Sequence, residues 1–151
     1  MTARTRNTII VAVAVIGVCG LFVFGVLAGA AVVGYRKAIQ VGNGTATLQN
    51  IKTIAAVEFQ YFNTHNRTFG TMEQLIHEQQ LSSKFSGHPA VADGYVFTLT
   101  LASKSDGSSW YKITADPQDQ SSGTNHFYLD SDDHLIRVNA ERQAGPSDPD
   151  M

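Results

Sequence analysis

The sequence predicts an α+β protein in which an N-terminal transmembrane helix extends into an amphipathic helix packed on a small antiparallel β-sheet. Three observations support this fold class. Residues 9–33 are apolar throughout and carry no charge. Apolar residues then recur with the 3.6-residue period of a helix from Thr45, and with the two-residue period of a strand from Tyr95. The chain beyond the apolar stretch is long enough for one small domain and too short for two.

The apolar stretch has the length of a membrane span. A helix rises about 1.5 Å per residue, so residues 9–33 cover a hydrocarbon core of roughly 30 Å. A secretory signal peptide has a shorter apolar region that ends in small residues at a cleavage site. Here Tyr35, Arg36 and Lys37 follow, a group typical of a membrane interface. We therefore expect a basic lead at residues 1–8 and a retained transmembrane helix at residues 9–35, with a cleaved signal peptide as the alternative.

Small residues within and just after the stretch are spaced four apart, a pattern that lets a second helix approach closely. These residues are Gly25, Gly29, Ala30 and Gly34. We expect them to pack against other transmembrane helices, so the predicted partners are the lipid bilayer and helices of the same chain or of a larger membrane complex. Cys19 is the only cysteine and lies in the same stretch, so the head forms no disulfide of its own.

Charge is divided unevenly along the chain. Residues 1–57 hold five basic and no acidic side chains, whereas the remainder holds thirteen acidic and six basic side chains. An acidic head is a poor partner for a phosphate backbone, which is bound by clustered Lys and Arg, so nucleic-acid binding is excluded. Basic residues flank both ends of the apolar stretch, so the positive-inside rule gives no firm orientation.

A joint is predicted at residues 36–44, because Gly42 and Gly44 each weaken a helix by about 1 kcal/mol relative to Ala. We expect a kink or a short unwound turn there. An amphipathic helix then runs to about Asn63, and Glu58 is expected at the edge of its apolar face, reaching solvent. The alternative is that Glu58 is buried against a backbone amide or Lys52, since an unpaired buried carboxylate is costly. The apolar stripe expected to form the head core is Leu48, Ile51, Ala55, Phe59 and Phe62.

The predicted head covers residues 45–139, and after the amphipathic helix it is predicted to form a short helix and two hairpins. Residues 71–74 have the form of a capping box, which predicts a helix at residues 72–80 and then a loop as far as Gly94. Residues 140–151 contain almost nothing apolar and are expected to be a flexible tail. The predicted strands are residues 95–101, 110–115, 126–129 and 134–138. The residues expected to cover the helix stripe are Tyr95, Phe97, Leu99 and Leu101.

No catalytic or cofactor-binding pattern is present. The five histidines stand in different segments without the spacing of a zinc site, and we expect them to be exposed or loosely packed. Phosphate loops, dinucleotide motifs and nucleophile elbows are missing from the sequence. We therefore expect neither an enzyme nor a bound cofactor. The weak exception is calcium at an acidic turn formed by Asp130, Asp132 and Asp133. Calcium takes six to eight oxygen ligands, so a solvated turn is favoured.

A set of segments along the head is informative when taken together: residues 48–54 with Glu58 and Tyr61, 68–71, 94–98, 114–117, 127–130, 136–140 and 147–149. These segments resemble those of type IV pilins and type II secretion pseudopilins. The resemblance implies a bacterial protein of the cytoplasmic membrane whose head lies outside the cytoplasm. It also implies a structural subunit that packs its transmembrane helix among others in a filament or pseudopilus.

The N-terminal region departs from that family. Its members carry a glycine cleaved by prepilin peptidase and a glutamate at the fifth mature position, which is implied in docking one subunit on the next. Here the first acidic residue is Glu58, and the nearest approach, at Gly20, has Phe24 and Gly25 where the glutamate is needed. Two interpretations remain: a pilin-like structural subunit, or an uncleaved single-pass accessory subunit of a larger membrane complex. An enzyme is a distant third.

Overall fold

The computed structural model describes the backbone of residues 3–151 and the side chains of residues 32–151. A long helix, α1, is followed by a short helix, α2, one 3₁₀ turn and five strands, which confirms the α+β class and the antiparallel sheet. The chain divides after Ala38, and the unit Ile39–Met151 is the head. The helices are α1 Ala3–Thr64 and α2 Met72–His77, and the turn is Ser83–Phe85. The strands are β1 Ala90–Ala92, β2 Tyr95–Ser103, β3 Ser109–Pro117, β4 His126–Asp130 and β5 Arg137–Asn139.

The transmembrane prediction falls mainly on residues whose side chains are outside the described part of the chain. Of residues 9–35, only 32–35 have described side chains. Across the part that is described, none of the helices combines the length and the apolar character that crossing a membrane requires.

The sheet is a simple antiparallel meander in the order β1-β2-β3-β4-β5. β2 pairs with β3 over its full length, from Tyr95 opposite Pro117 to Ser103 opposite Ser109. β3 then pairs with β4, and the pairing of β4 with β5 confirms the second predicted hairpin. β1 and the 3₁₀ turn lie where only a loop was expected, since a three-residue strand between proline and glycine gives too little alternation to recognise.

The predicted capping box is confirmed at the start of α2. Thr71 Oγ1 accepts from Gln74 N–H at 3.3 Å, and Gln74 Oε1 accepts from Thr71 N–H at 2.8 Å. α2 ends at His77, three residues before the predicted end. The chain then reverses through Gln79, whose φ is 60°.

The unwound turn expected at the joint of residues 36–44 is not formed, because α1 continues through both glycines. A Cβ added at Gly42 or Gly44 would meet nothing within 4 Å, so packing does not require glycine there. Tertiary contacts hold the segment instead. Asn43 Nδ2 donates to the Ser122 carbonyl at 2.9 Å, and Gln40 Nε2 donates to the Gln120 carbonyl at 2.6 Å. Such contacts outweigh the modest helix penalty of two glycines.

The buried face of α1 is rotated from the predicted stripe. Ile51 is fully buried as expected, but Phe59 is 60% exposed, so its assignment to the core is wrong. Leu48 and Ala55 are partly buried against the core, and Phe62 stacks on the Phe69 ring with a centroid distance of 4.6 Å. The residues that are actually buried are Thr47, Asn50, Ile51, Ile54, Glu58 and Tyr61. Half of them are polar, and hydropathy alone therefore placed the face incorrectly.

The core lies between this helix face and one face of the sheet. Tyr95 and Phe97 are buried on that face, as predicted, whereas Leu99 and Leu101 are only half-buried. The alternate residues of β3 point the same way and are fully buried. They are Tyr111, Ile113 and Ala115.

The C-terminal segment packs against β5, so the expected flexible tail is also a wrong prediction. Val138 N–H donates to the Pro149 carbonyl at 3.0 Å, and Met151 N–H donates to the Ile136 carbonyl at 3.1 Å. Asp148 is buried, and its carboxylate accepts hydrogen bonds from the Asn139 amide, the Arg142 guanidinium and the Gly145 N–H. Polar side chains fix this segment in place of the apolar ones that it lacks.

Candidate functional site

The candidate functional surface is the exposed part of α1 where the apolar stretch ends. Val32, Val33 and Tyr35 are 53%, 67% and 70% exposed. Gly34 lies among them, and a Cβ at this glycine would meet nothing within 4 Å. The surface combines apolar side chains with a position where another backbone can come close. These are the properties of a helix-packing surface.

Of the four residues predicted to pack against other helices, Gly34 is the one with a described side-chain environment. Gly25, Gly29 and Ala30 lie outside the described side chains. Their role therefore stays a prediction, as does the membrane span in which they fall. Arg36 and Lys37, the predicted interface anchor, are exposed next to Gly34.

Each of the three carboxylates in the acidic turn interacts with a different partner. Asp130 Oδ2 accepts from the Tyr128 hydroxyl at 2.8 Å, and its Oδ1 accepts from Asp132 N–H at 2.9 Å. Asp132 forms an ion pair with Lys104, and Asp133 forms one with Arg137. Within the described residues, no group of three or more His, Cys, Asp or Glu side chains is arranged to hold a metal ion. The geometry therefore gives the calcium alternative no support, and the turn is stabilised by its own ion pairs.

Glu58 is a buried site that the favoured sequence interpretation missed. Its side chain is fully buried rather than reaching solvent, and Oε2 accepts from Gly70 N–H at 3.0 Å. This is the backbone-amide alternative, while Lys52 stays exposed. The other carboxylate oxygen, Oε1, has no hydrogen-bond partner among the described residues. Burial raises the pKa of Glu58 from 4.5 to about 7, and the Gly70 N–H offsets part of that increase.

Two tyrosines adjoin this carboxylate. Tyr61 follows Glu58 by three residues on α1, and its ring would lie 3.1 Å from a Cβ added at Gly70. The hydroxyl of Tyr111 is buried without a partner among the described residues. Burial raises the pKa of both phenols, and the nearby Glu58 charge adds to the increase. The cluster fixes the residue 65–70 loop to α1 and contains a carboxyl group that changes charge near neutral pH.

The histidines are not gathered in one place. His126 Nδ1 lies 2.6 Å from Asp116 Oδ1, and the second oxygen of Asp116 accepts from Gln143 Nε2 at 2.7 Å. This pair links the start of β4 to the C-terminal segment beside a polar groove of about 530 Å³. His65 stacks on Tyr61 and pairs with Glu78 at 3.0 Å. Both histidines are held more firmly than the sequence indicated, in structural contacts.

Two further grooves are more apolar. One, of about 380 Å³, lies between α1 and the segment after the acidic turn, and Leu48, Ala55, Leu135 and Ile136 are among its lining residues. The other, of about 500 Å³, lies beside the free part of β2 and is called the edge groove below. The edge groove is lined by Thr71, Met72, Glu73, Phe85, Gly87, His88, Pro89, Ala90, Phe97, Thr98, Leu99 and Leu101.

Comparison of the chain with protein-family models, with curated proteins and with solved structures found no match. The resemblance to pilins and pseudopilins therefore stays a prediction from the sequence segments.

Proposed function

We propose that this chain is a membrane-anchored, pilin-like subunit that packs its transmembrane helix against other membrane helices and holds its head outside the bacterial cytoplasmic membrane. The observation that carries the proposal is the course of α1. α1 runs from Ala3 to Thr64, so it includes the apolar stretch, and its later turns supply Ile51 and Ile54 to the core of the head. An anchor and a core helix formed by one continuous element, with an antiparallel sheet on the core side, is the plan of a pilin-like subunit.

The exposed surface around Gly34 supports the interaction part of the proposal. Its side chains have no cover within the described chain, and apolar surface of this kind is commonly covered by another protein or by lipid. In this proposal the role of the chain is structural. It uses no cofactor and catalyses no reaction.

One observation favours the alternative, an uncleaved accessory subunit of a larger membrane complex. Glu58 is the first acidic residue of the sequence, and it is fully buried against Gly70. It therefore cannot supply the exposed glutamate that the resemblance implies for docking on a neighbouring subunit. The anchor and the head are common to both functions, which differ in whether the N-terminal region is removed.

The membrane anchor is tested by extraction of washed native membranes with alkaline carbonate. The full-length chain is expected to stay in the pellet with integral proteins. Release into the supernatant together with peripheral proteins would exclude both functions.

Intact-mass measurement on the purified native protein separates the two functions. A mass that includes residues 1–20 favours the accessory subunit, whereas a mature chain that begins at Leu21 favours the pilin-like structural subunit.

Replacement of Gly34 by Ile tests the helix-packing surface, with Gly44→Ile as the matched control, since a Cβ at either position meets open space. Cross-linking of the membrane helices is expected to fall for Gly34→Ile alone.

A further inference from the structure

Part of β2 lies at an open edge of the sheet. β3 pairs with β2 along its whole length, from Tyr95 to Ser103. On the other side, β1 covers only Tyr95, Val96 and Phe97. Within the described part of the chain, residues 98–103 have no strand beside them on that side, and they are called the open edge here.

The backbone groups of the open edge alternate in direction. The residues that flank β2 show which groups face β3. The Gly94 carbonyl accepts a hydrogen bond from Gln118 N–H, and Lys104 N–H donates one to the Ser108 carbonyl. In an antiparallel pair the bonded positions alternate, so even-numbered residues of β2 bond to β3 and odd-numbered residues face the other way. Leu99, Leu101 and Ser103 therefore turn their N–H and C=O groups outward. Three donors and three acceptors stand in a row at the spacing of a strand.

The composition of the open edge also suits pairing. Residues 98–103 read Thr-Leu-Thr-Leu-Ala-Ser and contain no charge and no proline. Leu99 and Leu101 are half-buried and line the edge groove of about 500 Å³ together with Met72 and Phe85. Natural sheets protect such edges with charges, prolines or covering segments. The opposite edge of this sheet has that protection, since residues 149–151 lie along β5.

We propose that the open edge pairs with the same segment of a second copy of this chain, in antiparallel orientation, to form one continuous sheet across the two heads. The strand that fits must be uncharged and must carry apolar side chains at alternate positions. Residues 98–103 meet both requirements, so the edge is complementary to itself and brings no like charges together. A twofold contact of this kind closes after two copies.

The hydrogen-bonding alternation fixes the register of this pairing. All three outward residues are used when Leu101 lies opposite Leu101 of the second copy and Leu99 lies opposite Ser103. The twofold axis then passes beside Leu101. In such a bonded antiparallel pair the two Cα atoms are about 5.5 Å apart, which lies within the range of about 4.4–6.8 Å that a disulfide spans. This contact is separate from helix packing and does not depend on the proposed function.

Oxidative cross-linking of the full-length protein tests the register. Leu101→Cys is made in a Cys19→Ser background, and the matched control is Val91→Cys on the neighbouring edge strand. Val91 is the more exposed of the two positions, so random collisions would favour the control. We expect the Leu101→Cys variant to give a covalent dimer as the main product and the Val91→Cys variant to give only a minor one. Equal yields from the two variants would overturn the proposal.

Amide hydrogen exchange on the unsubstituted protein gives a second test that does not depend on the variants folding. The amides of Leu99, Leu101 and Ser103 are expected to exchange more slowly at high protein concentration than at low concentration. The Val91 amide, which faces away from β2, is expected to exchange at the same rate at both. If the three edge amides exchange at a rate that does not change with protein concentration, pairing between copies is rejected. This holds whether exchange is fast or is already slow because a strand of another protein covers the edge.

Discussion

Glu58 and Gly70 are joined by a buried hydrogen bond of 3.0 Å between a side-chain carboxylate and a backbone N–H, across twelve residues of chain. The bond ties the last turns of α1 to the loop that leads into α2. Tyr61 and Leu75 close around the same glycine from the two helices. A carboxylate without a basic partner thus holds together two elements of the head, and its protonation and its neighbours can be tested directly.

The first prediction concerns pH. The folded-state pKa of Glu58 is about 7 against an ordinary value of 4.5, so the folded protein holds this proton more tightly than the unfolded chain does. The stability contributed by Glu58 is therefore fully present below pH 4.5, decreases as the pH rises to about 7, and is constant above that. The whole decrease corresponds to about 3 kcal/mol. Glu58→Gln stays neutral and should abolish it.

Urea unfolding of a fragment that covers residues 39–151, at pH 4.5 and at pH 8, measures this effect. Parent and Glu58→Gln are expected to be nearly equal at pH 4.5, and the variant is expected to be the more stable at pH 8. Glu141→Gln, at an exposed position, is the matched control and should follow the parent at both values. A parent whose stability rises between pH 4.5 and pH 7 because of Glu58 would contradict the prediction.

The second prediction concerns the space around Gly70. A Cβ there would lie 2.9 Å from Leu75 Cδ2 and 3.1 Å from the Tyr61 ring, so Gly70→Ala must displace packed side chains. Overpacking of this kind typically costs about 1–3 kcal/mol. Gly44→Ala is the control, because it adds the same methyl group in open space within a helix and should stabilise the fragment by up to about 1 kcal/mol. Thermal unfolding that shifts the same way in both variants would refute the described packing.

The third prediction concerns the corrected helix face. Ile54 is fully buried, so Ile54→Ala is expected to destabilise the head by about 2–5 kcal/mol. Phe59→Ala removes a larger side chain that is 60% exposed, and should change the free energy of unfolding by no more than about 0.5 kcal/mol. Chemical denaturation of the two variants decides between this face and the stripe predicted from hydropathy, for which Phe59→Ala would be the more damaging change.

The fourth prediction concerns the C-terminal segment. Hydrogen bonds from Asn139 and the Gly145 N–H, together with the charge of Arg142, lower the pKa of Asp148 below 3.8. These contacts are therefore present above that pH and are lost as the pH falls through the folded-state pKa. Asp148→Asn removes the charged acceptor at neutral pH, and trypsin is expected to cleave after Arg142 faster than in the parent. Asp150→Asn, at an exposed position, should leave the cleavage rate unchanged. Equal rates for the two variants would show that Asp148 does not hold the segment.

Local sequence patterns were sufficient to predict those helices and strands that have a repeated apolar spacing or a specific capping motif. Strict alternation in residues 95–101 predicted β2 and its inward Tyr95 and Phe97, and the spacing of Thr71 and Gln74 predicted the start of α2. Both hairpins follow from short polar segments between alternating runs. In each case the deciding interactions are made between residues close in the chain.

Which polar groups are buried depends on contacts between distant segments, and the wrong predictions follow from that. Hydropathy assigns Phe59 to the core and Glu58 to solvent. In the structure the Gly70 N–H, which comes from a different segment, donates a hydrogen bond to the Glu58 carboxylate, and Glu58 is buried while Phe59 is exposed. In the same way Ser122 supports the glycine-containing part of α1, and Asp148 fixes a segment with almost no apolar residues. The periods of the helix and the strands can be read from the sequence alone, because they depend on local spacing. The face that α1 buries, its continuity through the glycines and the place of the C-terminal segment depend on hydrogen bonds between distant residues, which no local pattern records.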